Sequence, residues 1–263
     1  MNIIITGNTK GIGCALTEEF LESGDHIIIS SRTQERVDQV VSDLKERFPD
    51  SQIFGFICDV GNEENVQELA DFGKEKFGTI DIWINNAGTA GSRRIPIQET
   101  TPEEFRTILD TNVLGTLNGC KAALSVMLPQ ECGHIFNMLG WGSKGRPSPR
   151  SAAYGASKAA TYQFTQTLVQ ECKTQGIGIH KLSPGMVLTD LLMQNADLRA
   201  KKIFNILAER PETVAKFLVP RIRDVKGTGK EISYLTKKRA LWRFLTAWKR
   251  KKRFFDEEGN MIT

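Results

Sequence analysis

Long apolar runs are missing from this 263-residue chain. Residues 3–5 and 27–29 are unbroken isoleucine, but such stretches fall far short of the roughly 20 residues a membrane-spanning helix needs. Cysteine is sparse and unpatterned: Cys14, Cys58, Cys120, Cys132 and Cys172 are odd in number, widely spaced and free of any CxxC. That excludes a disulfide framework and a zinc site, and it points to a reducing compartment. His26, His134 and His180 have no metal-ligand spacing, so no metal centre is expected. Internal repeats, low-complexity tracts and Gly/Ser linkers are also absent. The first seven residues already read as a strand entering a turn, which leaves no signal or transit peptide visible.

What is there is an ordinary globular supply of core, with 40% hydrophobic and 25% charged residues. The formal net charge of +4 hides a strong asymmetry. Residues 1–220 hold 22 Lys+Arg against 26 Asp+Glu, residues 221–253 hold 13 against 2, and the last ten residues carry a net −3. The positive charge therefore belongs to one C-terminal segment, and no nucleic-acid-binding core is implied.

Apolar, β-branched runs at 1–7, 25–30, 52–57, 80–84, 133–138 and 178–182 read as strands buried on both faces. Helical spacing fills the gaps, as in 34–47 (Val37, Val40, Val41, Leu44) and 63–77 (Val66, Leu69, Phe72, Phe77). Such alternation needs right-handed crossovers and predicts an α/β fold with a doubly wound parallel sheet. Residues 231–235 are expected to add a last strand and 237–255 a final helix. The expected organisation is one catalytic domain over 1–220, with a substrate loop at about 186–210, followed by a basic C-terminal helical extension over 221–263.

Between the first strand and the next helix lies Thr6-Gly7-Asn8-Thr9-Lys10-Gly11-Ile12-Gly13. Gly7, Gly11 and Gly13 supply a tight turn, a close approach for a pyrophosphate and tight helix-to-strand packing, while the helix N-terminus offers free N–H groups. Dinucleotide sites usually carry an acid about 20 positions further on, to grip a ribose 2′-hydroxyl. Here the place is Ser30-Ser31-Arg32. Arg32 and Lys10 put two cations where a 2′-phosphate would sit, so NADPH is expected in preference to NADH.

Tyr154-Gly155-Ala156-Ser157-Lys158 sets a phenol and an ammonium one helical turn apart. A phenol with a pKa of about 10 is a weak partner at neutral pH, and a nearby cation is expected to lower it. Tyr154 then serves as proton donor to a carbonyl being reduced, with Lys158 also holding the nicotinamide ribose.

These motifs, taken with Asp59-Val60, Asn85-Asn86-Ala87-Gly88, Asn112 and Ser183-Pro184-Gly185 followed by Thr189, resemble the short-chain dehydrogenase/reductase family over about residues 1–195. The resemblance implies a Rossmann fold in which Asp59 and Val60 flank the adenine and Asn86 braces the turn with Ala87 and Gly88. It implies that Asn112 holds a water in a proton relay behind Lys158. Thr189 would contact the carboxamide after Pro184 and Gly185, with Val187 beside it. It also implies a homo-oligomer, a dimer or tetramer built through the helices around Asn112 and Tyr154. In one departure, Trp141 stands where the family carries its substrate-binding serine. Either Ser143 takes that role through a tightened loop, or the oxygen relies on Tyr154 alone.

Further stretches, at 134–150, 182–193, 204–211 and 217–220, resemble the chlorophyll b reductase branch, the plant type without transmembrane helices. This implies NADPH-dependent reduction of the 7-formyl group of chlorophyll(ide) b to 7-hydroxymethyl, in the cytoplasm or a plastid stroma. Trp141, Met138, Met186, Leu188, Leu191, Leu192, Met193, Phe204 and Leu207 are candidate walls for so flat and apolar a pigment. Arg93 and Arg94 are candidates for a substrate carboxylate. Leu241, Phe244, Leu245 and Trp248, with Lys/Arg clusters at both ends, suit a membrane surface through 237–255 or packing on the protein itself. Two other readings stay open: a reductase of another hydrophobic aldehyde or ketone, and a non-enzymatic cofactor-binding regulator or phosphate-binding module.

Overall fold

A computed structural model describes residues 1–92, 94–194 and 196–262. Seven parallel strands form one sheet in the order β3-β2-β1-β4-β5-β6-β7. They are β1 (Asn2–Ile5), β2 (His26–Ser31), β3 (Ile53–Ile57), β4 (Ile82–Asn85), β5 (His134–Met138), β6 (Gly178–Ser183) and β7 (Glu231–Ser233). Around them run α1 (Gly11–Glu22), α2 (Gln34–Arg47), α3 (Glu63–Phe77), α4 (Pro102–Leu109), α5 (Gly115–Gln130), α6 (Ala152–Glu171), α7 (Asp190–Met193), α8 (Leu198–Leu207), α9 (Pro211–Arg223) and α10 (Lys237–Leu245). The doubly wound parallel fold expected from the alternating pattern is the one observed.

The period-two geometry of a strand sorts each isoleucine run onto two faces. Ile3, Ile5, Ile27 and Ile29 join Leu16 and Phe20 of α1 and Val214, Leu218 and Ile222 of α9. Ile4 and Ile28 point the other way, towards Val66 and Leu69 of α3 and Ala123 and Met127 of α5. Two cores therefore sandwich the sheet. Because β1 lies between β2 and β4, the chain reverses direction across the sheet there, and a crevice opens at the carboxyl ends of these strands.

The segment beyond residue 220 is woven into this architecture: α9 runs through Pro220, and β7 pairs with β6 to complete the sheet. The expected helix over 237–255 is shorter than its periodicity suggested. It ends at Leu245, a 3₁₀ turn follows at Ala247–Arg250, and the chain folds back so that Phe254 and Phe255 are buried beside Phe204 of α8. Asn205 makes the reversal favourable. Its side chain accepts the N–H groups of Phe254 (2.8 Å) and Phe255 (3.0 Å) and donates to the carbonyls of Lys251 (2.7 Å) and Phe255 (2.8 Å). Among the described residues no helix is long and apolar enough to cross a membrane.

Candidate active site

The glycine turn sits at the crevice with the backbone its sequence demands. Gly7 and Gly11 have φ of +65° and +59°, which a side chain would strain. A Cβ on Gly7 would lie 3.1 Å from Ala87, and one on Gly13 would lie 2.5 Å from Asn86 Nδ2. The turns after β1 and β4 are in close contact. Thr6 and Asn86 lock them together: the Thr6 hydroxyl accepts the N–H groups of Asn86 and Ala87, both at 3.1 Å. The Asn86 amide donates to the carbonyls of Thr6 (2.9 Å) and Gly7 (3.0 Å). The first-turn N–H groups of α1, around Gly11, Ile12 and Gly13, have no intrahelical acceptor and are available to an anion.

Asn8, expected among the cofactor-binding residues, is fully buried instead. Its side chain donates to Thr17 Oγ1 (3.0 Å) and the Ile28 carbonyl (3.1 Å) and accepts the Ser30 N–H (2.8 Å). It fastens the turn to α1 and β2 and presents no side-chain group to the crevice; Thr9 beside it is partly buried. Ser31 ends β2, and Arg32 follows it, exposed. Lys10 is also exposed but pairs with Asp190 across the crevice at 3.5 Å. Beyond β3, exposed Asp59 accepts the Gly61 N–H (3.0 Å), and the Val60 carbonyl accepts from Asn118 (2.9 Å). These contacts shape a cradle of backbone N–H groups, small residues and an exposed guanidinium, which fits a phosphorylated dinucleotide.

Tyr154 and Lys158 share one face of α6. Lys158 is buried, with Nζ 5.9 Å from the Tyr154 ring centroid, and it donates to the Met138 carbonyl at 3.1 Å. Burial pushes the lysine down to about 8. The expected lowering of the phenol by this cation is not what prevails: burial pushes Tyr154 up to about 12, against a smaller opposing pull from Arg94. Desolvation acts on both partners and outweighs their mutual influence. The result is a neutral phenol that keeps its proton.

Neither Trp141 nor Ser143 faces that phenol. The residue that does is Gly140, where a Cβ would come within 2.3 Å of the Tyr154 hydroxyl. Ser143 is buried three residues on, donating to the Gly140 carbonyl (2.8 Å) and accepting the Gly140 N–H (3.0 Å). Its hydroxyl shapes the loop behind the tyrosine, a place no count of positions back from Tyr154 identifies. Trp141 turns outward, 49% exposed, and donates to the Pro147 carbonyl at 3.2 Å.

Asn112 lies in a π-helical turn, Asp110–Leu114, between α4 and α5. Its side chain accepts the Thr89 N–H (2.8 Å) and donates to the Thr89 carbonyl (2.9 Å) and Ser157 Oγ (2.8 Å). Its carbonyl accepts the hydroxyls of Thr116 (2.7 Å) and Thr161 (3.3 Å). These bonds brace the β4 turn against α6. Gly88 lies in the same junction, where a Cβ would meet Asn112 Oδ1 at 3.2 Å and Lys158 Nζ at 3.7 Å.

After β6, buried Pro184 and exposed Gly185 (φ +79°) turn the chain into the loop that carries Val187 and Thr189. Val187 bridges to Glu209, and Thr189 Cγ2 would stand 3.2 Å from a Cβ on Gly11, so this loop closes over the glycine turn. Most candidate pigment walls prove to be its internal packing. Met186, Leu188, Leu192 and Met193 pack against buried Phe204 and Phe255, Leu207 is buried too, and Met138 belongs to the sheet core. Only Trp141 and Leu191 of that set are exposed. Arg93 lies outside the described residues. Arg94 donates to the Leu192 carbonyl at 3.4 Å, beside the tyrosine whose proton it influences.

Glu209 was not anticipated. Buried at the end of the loop, it pairs with Arg243 (2.8 Å) and Arg253 (2.7 Å) and accepts from the Tyr234 hydroxyl (3.2 Å). Burial alone would raise its carboxyl, but Arg253 and Arg243 outweigh that and hold it below the usual range. A single carboxylate at the end of the loop, 34 and 44 residues before its arginine partners, carries no periodic signal that would mark it.

Residues 1–199 match the family model described as short chain dehydrogenase. The chain is 44% identical to the rice (Oryza sativa subsp. japonica) protein named probable chlorophyll(ide) b reductase NYC1, chloroplastic, over 99% of this chain and 55% of that protein. It is 46% identical to rice chlorophyll(ide) b reductase NOL, chloroplastic, over 85% of this chain and 67% of that one. The chain thus spans little more than half the length of the first of these. Among solved structures, ElxO with NADP bound superposes with a TM-score of 0.79 at 29% identity, covering 88% of this chain and 96% of that one.

Proposed function

The chain belongs to the short-chain dehydrogenase family, and on that premise we propose that it reduces the 7-formyl group of chlorophyll(ide) b to hydroxymethyl with NADPH. The observation that carries the chemistry is the Tyr154 hydroxyl standing beside the side-chain-free Gly140, with a buried lysine one helical turn behind it. The substrate class rests on the 44–46% identity to the rice reductases, which in one case extends over nearly the whole chain.

Gly7, Gly11, Ile12 and Gly13 would hold the pyrophosphate, Arg32 and Lys10 the 2′-phosphate, and Val60, Asn86 and Thr189 the flanking groups. Bound there, NADPH supplies the hydride. Tyr154 gives its phenolic proton to the formyl oxygen, so the carbon gains a hydride and the oxygen a proton. Charge left on the phenolate is stabilised by the Lys158 ammonium, which the Met138 carbonyl keeps in place. Gly140 leaves room for the reacting oxygen beside Tyr154, and Asn112 keeps α6 in register with the β4 turn. We extend the reading to a homo-oligomer packed through the helices around Asn112 and Tyr154, working in a reducing compartment.

Incubation with NADPH and chlorophyllide b, followed by absorption spectra, tests the reaction directly. The formyl band disappears with the native protein, and Tyr154→Phe slows this by about a thousandfold while NADPH still binds. Binding of NADPH without turnover of any formyl pigment would leave only a cofactor-binding module. Since catalysis needs the lysine charged and the tyrosine protonated, kcat/KM is expected to fall as pH rises through about 8, and Lys158→Arg should move that limb upward.

A further inference from the structure

Helix α10 is folded with its polarity inverted. Arg239 and Arg243, one turn apart, face the protein: Arg239 lies over the rings of Phe217 (4.7 Å) and Tyr234 (4.5 Å), and Arg243 is buried on Glu209. The large apolar residues of the same stretch face out. Leu241, Trp242, Phe244, Leu245 and Trp248 are between 51% and 65% exposed. Their exposure is fixed by buried Arg243 and not by a frayed end.

The charge around this ridge points to its occupant. Lys237 and Lys238 stand exposed before it and Lys249 and Lys251 after it, while Lys252 pairs with Glu257 at 3.0 Å. The first turn of α10 holds two lysines and no acid, which opposes the helix dipole, so intramolecular stability does not explain them. A second copy would bring the same cations against themselves. Apolar and aromatic side chains flanked by lysines match the boundary of an anionic bilayer, where rings enter the acyl region and ammonium groups meet phosphates.

We propose that the ridge Leu241, Trp242, Phe244, Leu245 and Trp248 docks the enzyme on an anionic lipid surface. Its inner side is fastened through Arg243 to Glu209, and the following segment packs Phe254 and Phe255 against the loop residues Met186, Leu188 and Leu192. Docking therefore holds the substrate loop at the lipid boundary, where apolar molecules concentrate. The inference does not depend on which carbonyl is reduced.

The test is partition of the full chain onto phosphatidylcholine vesicles with and without phosphatidylglycerol, measured without substrate. Binding is expected only with the anionic lipid, and it should weaken at high salt. Trp242→Ser/Leu245→Ser/Trp248→Ser should lower partition by about tenfold or more at an unchanged melting temperature. Lys237→Gln/Lys238→Gln/Lys249→Gln should cost about fivefold per lysine. Brominated lipid should quench tryptophan emission in the unmutated protein, a readout that survives if the ridge variant fails to fold. Absence of binding to anionic vesicles, equal partition by the ridge variant, or no quenching overturns the proposal. So would a ridge-dependent dimer, or a ridge-dependent RNA complex, in a protein that ignores vesicles.

Discussion

On the β1 side of the crevice, buried Thr6 and Asn8 and half-buried Asn86 join neighbouring elements through uncharged hydrogen bonds. On the substrate-loop side, Glu209 gathers Arg243 and Arg253 from 34 and 44 residues downstream, with Tyr234 completing the cluster. The first wall must approach a phosphate-bearing cofactor, and neutral bolts leave the local field to the helix N-terminus and Arg32. The second must hold a loop that has little sheet beneath it. A buried carboxylate shared by two guanidiniums does so, at the risk that losing one member strands the others.

Breaking the ionic wall should have the larger effect on stability. Glu209→Gln leaves Arg243 buried without a counter-charge, and a loss of about 3 kcal/mol is expected in denaturant or thermal unfolding. The acid response should follow the same residue. Because the folded Glu209 carboxyl lies below its ordinary value, its contribution is complete above about pH 4.3 and disappears as pH falls through the folded pKa. Glu209→Gln should therefore flatten that limb of the stability curve. An unchanged limb would mean that the cluster is already loose in the native protein.

Asn8→Ala probes the neutral wall. It strands the buried Ser30 N–H and removes two donated bonds, an expected loss of about 2 kcal/mol. No titrating group takes part, so the loss should be the same at pH 5 and pH 8. A marked pH dependence in this variant would erase the distinction between the two sides.

The same contrast explains what could be read from the residues beforehand. Strands, crossover helices and the glycine turn are each specified by neighbours a few positions away, so β1, α2 and α3 emerge from periodicity, and Gly7, Gly11 and Gly13 from spacing. The Tyr154/Lys158 pair is legible because one helical turn fixes its geometry. Gly140 was not, since what matters there is a missing side chain that only the folded Tyr154 hydroxyl reveals. Nor was the shorter α10. Its apolar stripe suits a lipid surface or packing on the protein alike, and pairing of Arg243 with distant Glu209 turned the opposite face in. The candidate pigment walls show a related limit: composition marks Met186 and Leu192 as apolar, and only the burial of Phe254 and Phe255 shows that they also pack within the protein.

The smallest expected effect concerns the two cations offered to a 2′-phosphate, which the sequence made equivalent and the structure does not. Lys10 Nζ stands 3.5 Å from Asp190 Oδ2, whereas Arg32 follows Ser31 at the open end of β2 as an exposed residue. The Lys10 pair is exposed on both sides, so its attraction is weak and a phosphate can compete for the lysine, but the nearby carboxylate still subtracts from the field an anion meets. A guanidinium can also grip phosphate oxygens through two parallel bonds, which an ammonium cannot. The ratio of kcat/KM for NADPH over NADH should therefore fall about tenfold in Arg32→Ala and only about threefold in Lys10→Ala. Asp190→Asn should raise the ratio by about twofold, because it frees Lys10 without touching the phosphate cradle. If Lys10→Ala proved the more damaging of the two, the phosphate would sit deeper in the glycine turn than the placement of Arg32 implies, and the salt bridge to Asp190 would be part of cofactor selection rather than a brake on it.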